Sequence, residues 1–136
     1  MAVWQSRMLS ILRIMSGLLF MEHGLSKLFN FPPGNLHPSF PALLWFAAVL
    51  ESFGGALVAL GLLTRAAAFL LSGEMAIAYF MVHAPHSFFP LLNGGEAAVL
   101  YCFVFLYLAF AGGGEWSVDH LRASAGTSKV HARSGI

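Results

Sequence analysis

Charge is scarce in this sequence. Only 10% of its 136 residues are Asp, Glu, Lys or Arg, and the mean hydropathy is +0.75. A soluble domain carries about 25% charged residues, so this chain has too few to clothe a water-facing surface. The formal net charge of +1 and the absence of a basic cluster exclude an electrostatic nucleic-acid binder. Cysteine is almost missing as well. Cys102 stands alone in an apolar run, so the chain can form neither an internal disulfide nor a Cys-x-x-Cys redox pair. A lone cysteine of this kind acts as a small hydrophobe. A cleavable leader is not expected either. The first apolar run is long, carries charges and is followed by no small-x-small site.

Metal-binding spacing is also lacking. A di-metal carboxylate bundle needs Glu-x-x-His on two helices. Here the residues three after the glutamates of the apolar runs are Leu25, Gly54, Ile77 and Val99. No metal is expected. His23 with His83 is the one pair worth weighing for a bis-histidine haem.

What the chain does have is apolar length. Four runs stand out, Met8 to Phe29, Pro41 to Leu63, Ala66 to Ala84 and Gly95 to Ala111. Each approaches the roughly 17–25 residues a helix needs to cross the ~30 Å hydrocarbon core, the fourth at the short end. Helices satisfy their own backbone polar groups, which lipid cannot do. Pro- and Gly-rich segments separate the first run from the second and the third from the fourth, and a tight link at Thr64 and Arg65 joins the second to the third. The expected fold is all-α, an integral membrane four-helix bundle over residues 1–122, with a disordered cytoplasmic tail over 123–136. Such a tail, rich in Ser, Gly and Ala, has little to bury.

Arg7, Arg65, Arg122, Lys129 and Arg133 fall at the N-terminus, the second-to-third link and the tail, all on one side after four crossings. Arg13 lies in the half of the first helix nearest that side and reads as snorkelling towards it. Only Lys27 approaches the other side. This asymmetry predicts cytoplasmic termini.

Each run holds one glutamate: Glu22, Glu51, Glu74 and Glu96. An ionisable group at mid-membrane costs a few kcal/mol, so it faces a partner or a cavity. By depth, Glu22, His23, Lys27, Glu51, His83 and Glu96 tend towards the middle or outer half, with Glu74 near the centre of the third helix. These seven residues are the candidate binding set. Glu51 shares a helical face with Ala47, Gly54, Gly55 and Val58. Gly17 and Gly24, a heptad apart, form a second small-residue seam where a neighbouring helix can approach. Several groups also have purely structural readings. Asn93 to Glu96 resembles a capping box. Glu51 and Glu74 could simply bond neighbouring helices, and His83 and His86 could be interfacial. His37, His120 and His131 read as solvated.

Three segments, "GLLFMEHGLSKL", "LESFGGALVALGLLTRAAA" and "NGGEAAVLYCFVFLYLAFAGGGEWSVD", together resemble the DoxX family of small bacterial membrane proteins. The resemblance covers roughly residues 10–120. Its motifs fall on His23, Gly24 and Lys27; on Glu51, Gly54 and Gly55, followed by Gly61, Thr64 and Arg65; and on Gly94, Gly95 and Glu96. It implies a four-helix bundle in the bacterial cytoplasmic (inner) membrane, with some relatives tied to quinone-linked sulfur oxidation and others to assemblies that handle oxidative or thiol stress. No universal catalytic set carries over. The expected function is thus a small-molecule binding protein or subunit in redox physiology, with a quinone as the ligand to test. Its expected partners are the lipid bilayer, a redox protein and further copies of itself. A proton-coupled small-solute carrier and a purely structural subunit are the alternatives.

Overall fold

The computed structural model describes residues 2–33 and 41–133, with side chains for 3–33 and 41–126. His37 and the side chain of His131 lie outside this set. Among the described residues the chain is all-helical. The elements are α1 (Ala2–Phe29), α2 (Ala42–Leu60), α3 (Thr64–Ala78), a π-helical turn (Tyr79–His83), α4 (Pro90–Asn93), α5 (Glu96–Ala111) and α6 (Val118–Arg133).

Among the described residues, three helical segments are long and apolar enough to cross a membrane: Val3–Phe29, Ala42–Leu60 and Thr64–His83. The last of these is α3 continued through the π-turn, where the Ala84 N–H donates to the Tyr79 carbonyl at 2.8 Å. The fourth apolar helix, α5, has 16 residues. At ~1.5 Å per residue it is shorter than the hydrocarbon core is thick. Exposed large apolar side chains run along these helices, among them Phe46, Phe53, Phe69, Phe103 and Phe110. Water tolerates such a continuous apolar surface poorly; lipid does not oppose it.

Helix α1 packs chiefly on α2, and α3 on α5; α2 also meets α3, and α1 touches α5 over a small area. The α1–α2 contact brings together the two small-residue stripes that spacing marks on these helices; which helix each one meets is decided by the fold. A Cβ on Gly17 would lie 2.6 Å from the Ala59 backbone nitrogen, and one on Gly55 would lie 2.7 Å from that of Met21. The two backbones are in contact there, which only glycine permits. Between α2, α3 and α5 the core is filled by Val58, Ala68, Leu71, Phe105 and Leu108, all fully buried, with Phe20 reaching in from α1.

The chain turns sharply after α2. Gly61 takes a left-handed conformation (φ 71°), the Gly61 N–H donates to Val58 and the Leu62 N–H donates to Leu57. This pair of bonds is a Schellman ending. Helix α3 starts at once, its first N–H groups held by a carboxylate from far along the chain. Asp119 accepts from the backbone of Leu63 and Thr64, each at 2.9 Å, and from the Thr64 hydroxyl at 2.8 Å.

Two sequence expectations are corrected. The tail from Ala123 is not disordered as far as it is described: α6 continues to Arg133. Its start is a capping arrangement, with the Ser117 hydroxyl accepting the His120 N–H at 3.1 Å, and alanines with high helix propensity carry it on. Arg13 does not snorkel. It is fully buried, and its guanidinium donates to the carbonyls of Gly113 (2.7 Å), Val58 (2.6 Å), Trp116 (2.6 Å) and Ala59. Arg13 precedes Gly17 by four residues and so shares the face that meets α2. It ties the open carbonyls at the end of α2 to the loop after α5.

Candidate functional site

The seam that brings α1 against α2 also fixes the first polar pair. Lys27 follows Gly24 by three residues, and Glu51 precedes Gly55 by four, so both lie beside the closest helix approach. The Lys27 ammonium donates to both oxygens of Glu51, at 2.6 and 2.7 Å. Glu51 is 3% exposed; the Lys27 side chain is 28% exposed, its stem reaching out of the packed interior.

Glu74 approaches from α3. It lies within electrostatic reach of both Glu51 and Lys27, yet its two carboxylate oxygens are screened from solvent and have no hydrogen-bond partner among the described residues. Both glutamates line a groove of about 420 Å³ between α2 and α3. The remaining wall is apolar, with Phe46, Leu50, Phe69, Leu70, Ile77 and Met81 prominent. Phe46, Phe69, Leu70, Ile77 and Met81 are also on the exposed apolar surface, so the groove opens sideways, towards lipid.

The other four candidates stand apart from this groove. Glu22 is exposed on α1, within electrostatic reach of Tyr101 on α5. His23 is exposed and sets its ring edge-on to Tyr101 (centroids 6.0 Å) and Phe20 (6.5 Å). His83 is half-buried; it donates from Nδ1 to the Asn93 carbonyl at 3.1 Å and stacks beside Tyr79. Glu96 is exposed at the first position of α5. No capping box forms there, because Gly94 takes a left-handed conformation (φ 69°) and Gly95 becomes the residue before the helix. The Asn93 side chain instead accepts the Gly95 N–H at 2.7 Å. His86 is exposed and bonds back to Val82.

The expected convergence is therefore partial. Lys27, Glu51 and Glu74 gather; Glu22, His23, His83 and Glu96 do not join them. His23 and Lys27 lie one turn apart on the same side of α1, yet the flexible Lys27 side chain reaches Glu51 on α2 while the His23 ring meets Tyr101 on α5. The apolar walls of the groove were not picked out from sequence, because Phe46 or Met81 looks like any other lipid-facing side chain until α2 and α3 are placed side by side.

A family model for DoxX matches residues 8–84, more than half the chain and the whole stretch that contains Lys27, Glu51 and Glu74. The chain belongs to the DoxX family. Membership and the apolar helices together point to a membrane protein. A relative described as an uncharacterized protein of Haemophilus influenzae (strain ATCC 51907 / DSM 11121 / KW20 / Rd) is 45% identical over 119 residues, covering 82% of this chain and 88% of the relative. No solved structure matches the chain.

Proposed function

We propose that this DoxX protein is a multi-pass protein of the bacterial cytoplasmic membrane that binds a lipid-borne quinone or quinol in the groove between α2 and α3, as a subunit or partner of a redox system. The observation that carries the reading is Glu74, a carboxyl group with no hydrogen-bond partner among the described residues, set in the wall of an apolar groove that opens towards lipid. Buried polar groups are ordinarily hydrogen-bonded, and a ligand would supply the missing bond. As a neutral acid Glu74 can donate to a quinone carbonyl; as a carboxylate it can accept from a quinol hydroxyl. Oxidation of a quinol releases protons, and a carboxylate at the ring is a suitable acceptor. Electrons, in this reading, pass to a partner redox protein. In this reading α1, α2, α3 and α5 form a transmembrane four-helix bundle. The end bearing Arg7, Arg65 and Arg122 is cytoplasmic, which the excess of basic residues there supports.

The test is quinone binding by the detergent-purified protein, followed as a thermal shift and by native mass spectrometry with a short-chain ubiquinone and a menaquinone. Glu74→Gln should weaken binding about tenfold, a 1.4 kcal/mol effect, while Glu96→Gln, outside the groove, should not. Equal binding by wild type and Glu74→Gln removes the assignment. Proton-driven solute flux in liposomes would instead favour a carrier.

A further inference from the structure

A second cavity lies at the other end of the helices, where the start of α1, the α2–α3 link, the end of α5 and the start of α6 meet. It is an open cleft of about 920 Å³ that shares no lining residue with the α2–α3 groove. We propose that this cleft binds a phosphate group, with Arg65 as the cation that holds it.

Arg65 lines the cleft and is exposed, and it has no hydrogen-bond or ion-pair partner among the described residues. Other charges at this end are committed. Arg13 is fully engaged with carbonyls, and Arg7 pairs with Glu115 at 3.4 Å. Asp119 also borders the cleft, but its two oxygens are directed to the start of α3, accepting from Leu63 and Thr64, and Arg122 offsets its charge. Among the described residues that line the cleft, Arg65 is thus the guanidinium free to meet an anion, with the His120 imidazole and the Gln5 amide on the same walls.

The backbone supports this assignment. Gly112, Gly113 and Gly114 line the cleft. A Cβ on Gly112 would stand 3.4 Å from Arg65 Nε and 3.6 Å from Nη2, so glycine leaves the guanidinium fork uncovered. Gly113 is buried, yet its N–H has no acceptor among the described residues. Gly113 lines the cleft, and a phosphate oxygen is a strong acceptor for such an N–H. A guanidinium fork with backbone N–H groups suits phosphate geometry.

Position narrows the sources. Trp4 and Trp116, 64% and 51% exposed, lie at this end, and the Arg7 guanidinium sits 5.6 Å from the Trp4 ring centre. Exposed tryptophans flanked by arginine mark the level of lipid headgroups. Two sources present phosphate there, a phospholipid headgroup of the adjoining leaflet and a soluble phosphate compound.

Native mass spectrometry of the detergent-purified protein tests the proposal with three probes: dioleoylphosphatidylglycerol, dioleoylglycerol, which lacks the phosphate, and inorganic phosphate. Phosphatidylglycerol should be retained and dioleoylglycerol should not. Arg65→Gln should lower retention about tenfold, and His86→Gln, an exposed change outside the cleft, should leave it unchanged. Gln5→Trp, which fills the cleft from an exposed helical position and leaves Arg65 in place, should lower it too, and far-UV helicity checks that each variant is folded. Inorganic phosphate that binds alone and displaces the lipid in an Arg65-dependent way would identify a soluble phosphate as the source. Undiminished retention by folded Arg65→Gln, or equal retention of dioleoylglycerol, would overturn the assignment.

Discussion

Lys27 on α1 grips both carboxylate oxygens of Glu51 on α2, at 2.6 and 2.7 Å, one turn from the place where Gly24 lets the two backbones touch. The pair is shielded on the glutamate side and partly open on the lysine side. Removing one partner strands the other in apolar surroundings, which costs more than the pair itself contributes. We predict that Glu51→Gln and Lys27→Met each destabilise the protein by roughly 3 kcal/mol, and that Lys27→Met/Glu51→Leu recovers most of the loss. Thermal unfolding in detergent, arranged as a double-mutant cycle, measures the coupling. Strict additivity would show that the two residues do not interact.

Glu74 should behave in the opposite way. It has no bond to lose, so removing its carboxyl relieves an unsatisfied group. Glu74→Leu is expected to hold or raise stability, by up to about 1 kcal/mol, seen as an unchanged or higher melting temperature, while weakening quinone binding. A loss of stability as large as that of Glu51→Gln would mean that Glu74 has a structural partner.

Arg13 donates to four carbonyls from two segments that lie far apart in sequence. Arg13→Leu leaves those carbonyls unpaired and should cost at least ~3 kcal/mol. Arg13→Lys should recover only part, because an ammonium lacks the planar fork that reaches all of them. Proteolysis of the α5–α6 loop would report the same release. Full stability in Arg13→Leu would contradict the contacts.

The α1–α2 seam sets a steric limit. Gly55→Ala places a methyl carbon against the Met21 backbone and should cost about 1–3 kcal/mol. Gly73→Ala, with open space around it, should be neutral. Melting temperatures of the two variants make the comparison, and equal losses would show that packing at Gly55 is loose.

Asp119 gives a pH dependence. Its burial favours the neutral acid, but hydrogen bonds from the Thr64 backbone and hydroxyl and from the Leu63 backbone, together with Arg122, outweigh it and hold the carboxyl below its ordinary value. A lowered folded-state pKa stabilises above the unfolded-state value, near 4, and that contribution is lost as the pH falls through the folded-state value. Asp119→Asn should therefore lower the melting temperature at neutral pH, and the gap to wild type should narrow on acidification. A gap independent of pH would exclude the linkage.

Four crossings were expected, and among the described residues three of the helical segments are long enough. The all-helical character, the apolar runs and the small-residue stripes of α1 and α2 could all be read from the chain before any folding. Each depends on local periodicity and on lipid's inability to solvate charge or open backbone. The pairing of Lys27 with Glu51 was within reach for the same reason, since each lies beside a small-residue stripe. Tertiary placement alone decided the rest. Lys27 and His23 share one side of α1, one turn apart, but Lys27 pairs with Glu51 on α2 and His23 meets Tyr101 on α5 because the neighbouring helices pass at different heights. Arg13 looks like a snorkelling residue until the carbonyls of Val58, Ala59, Gly113 and Trp116 close around it. Asp119 starts a helix 55 residues before it in sequence. Depth and face belong to one helix and are written in its order of residues; which neighbour completes a donor, an acceptor or a groove depends on how separate helices meet, and a linear pattern does not carry that.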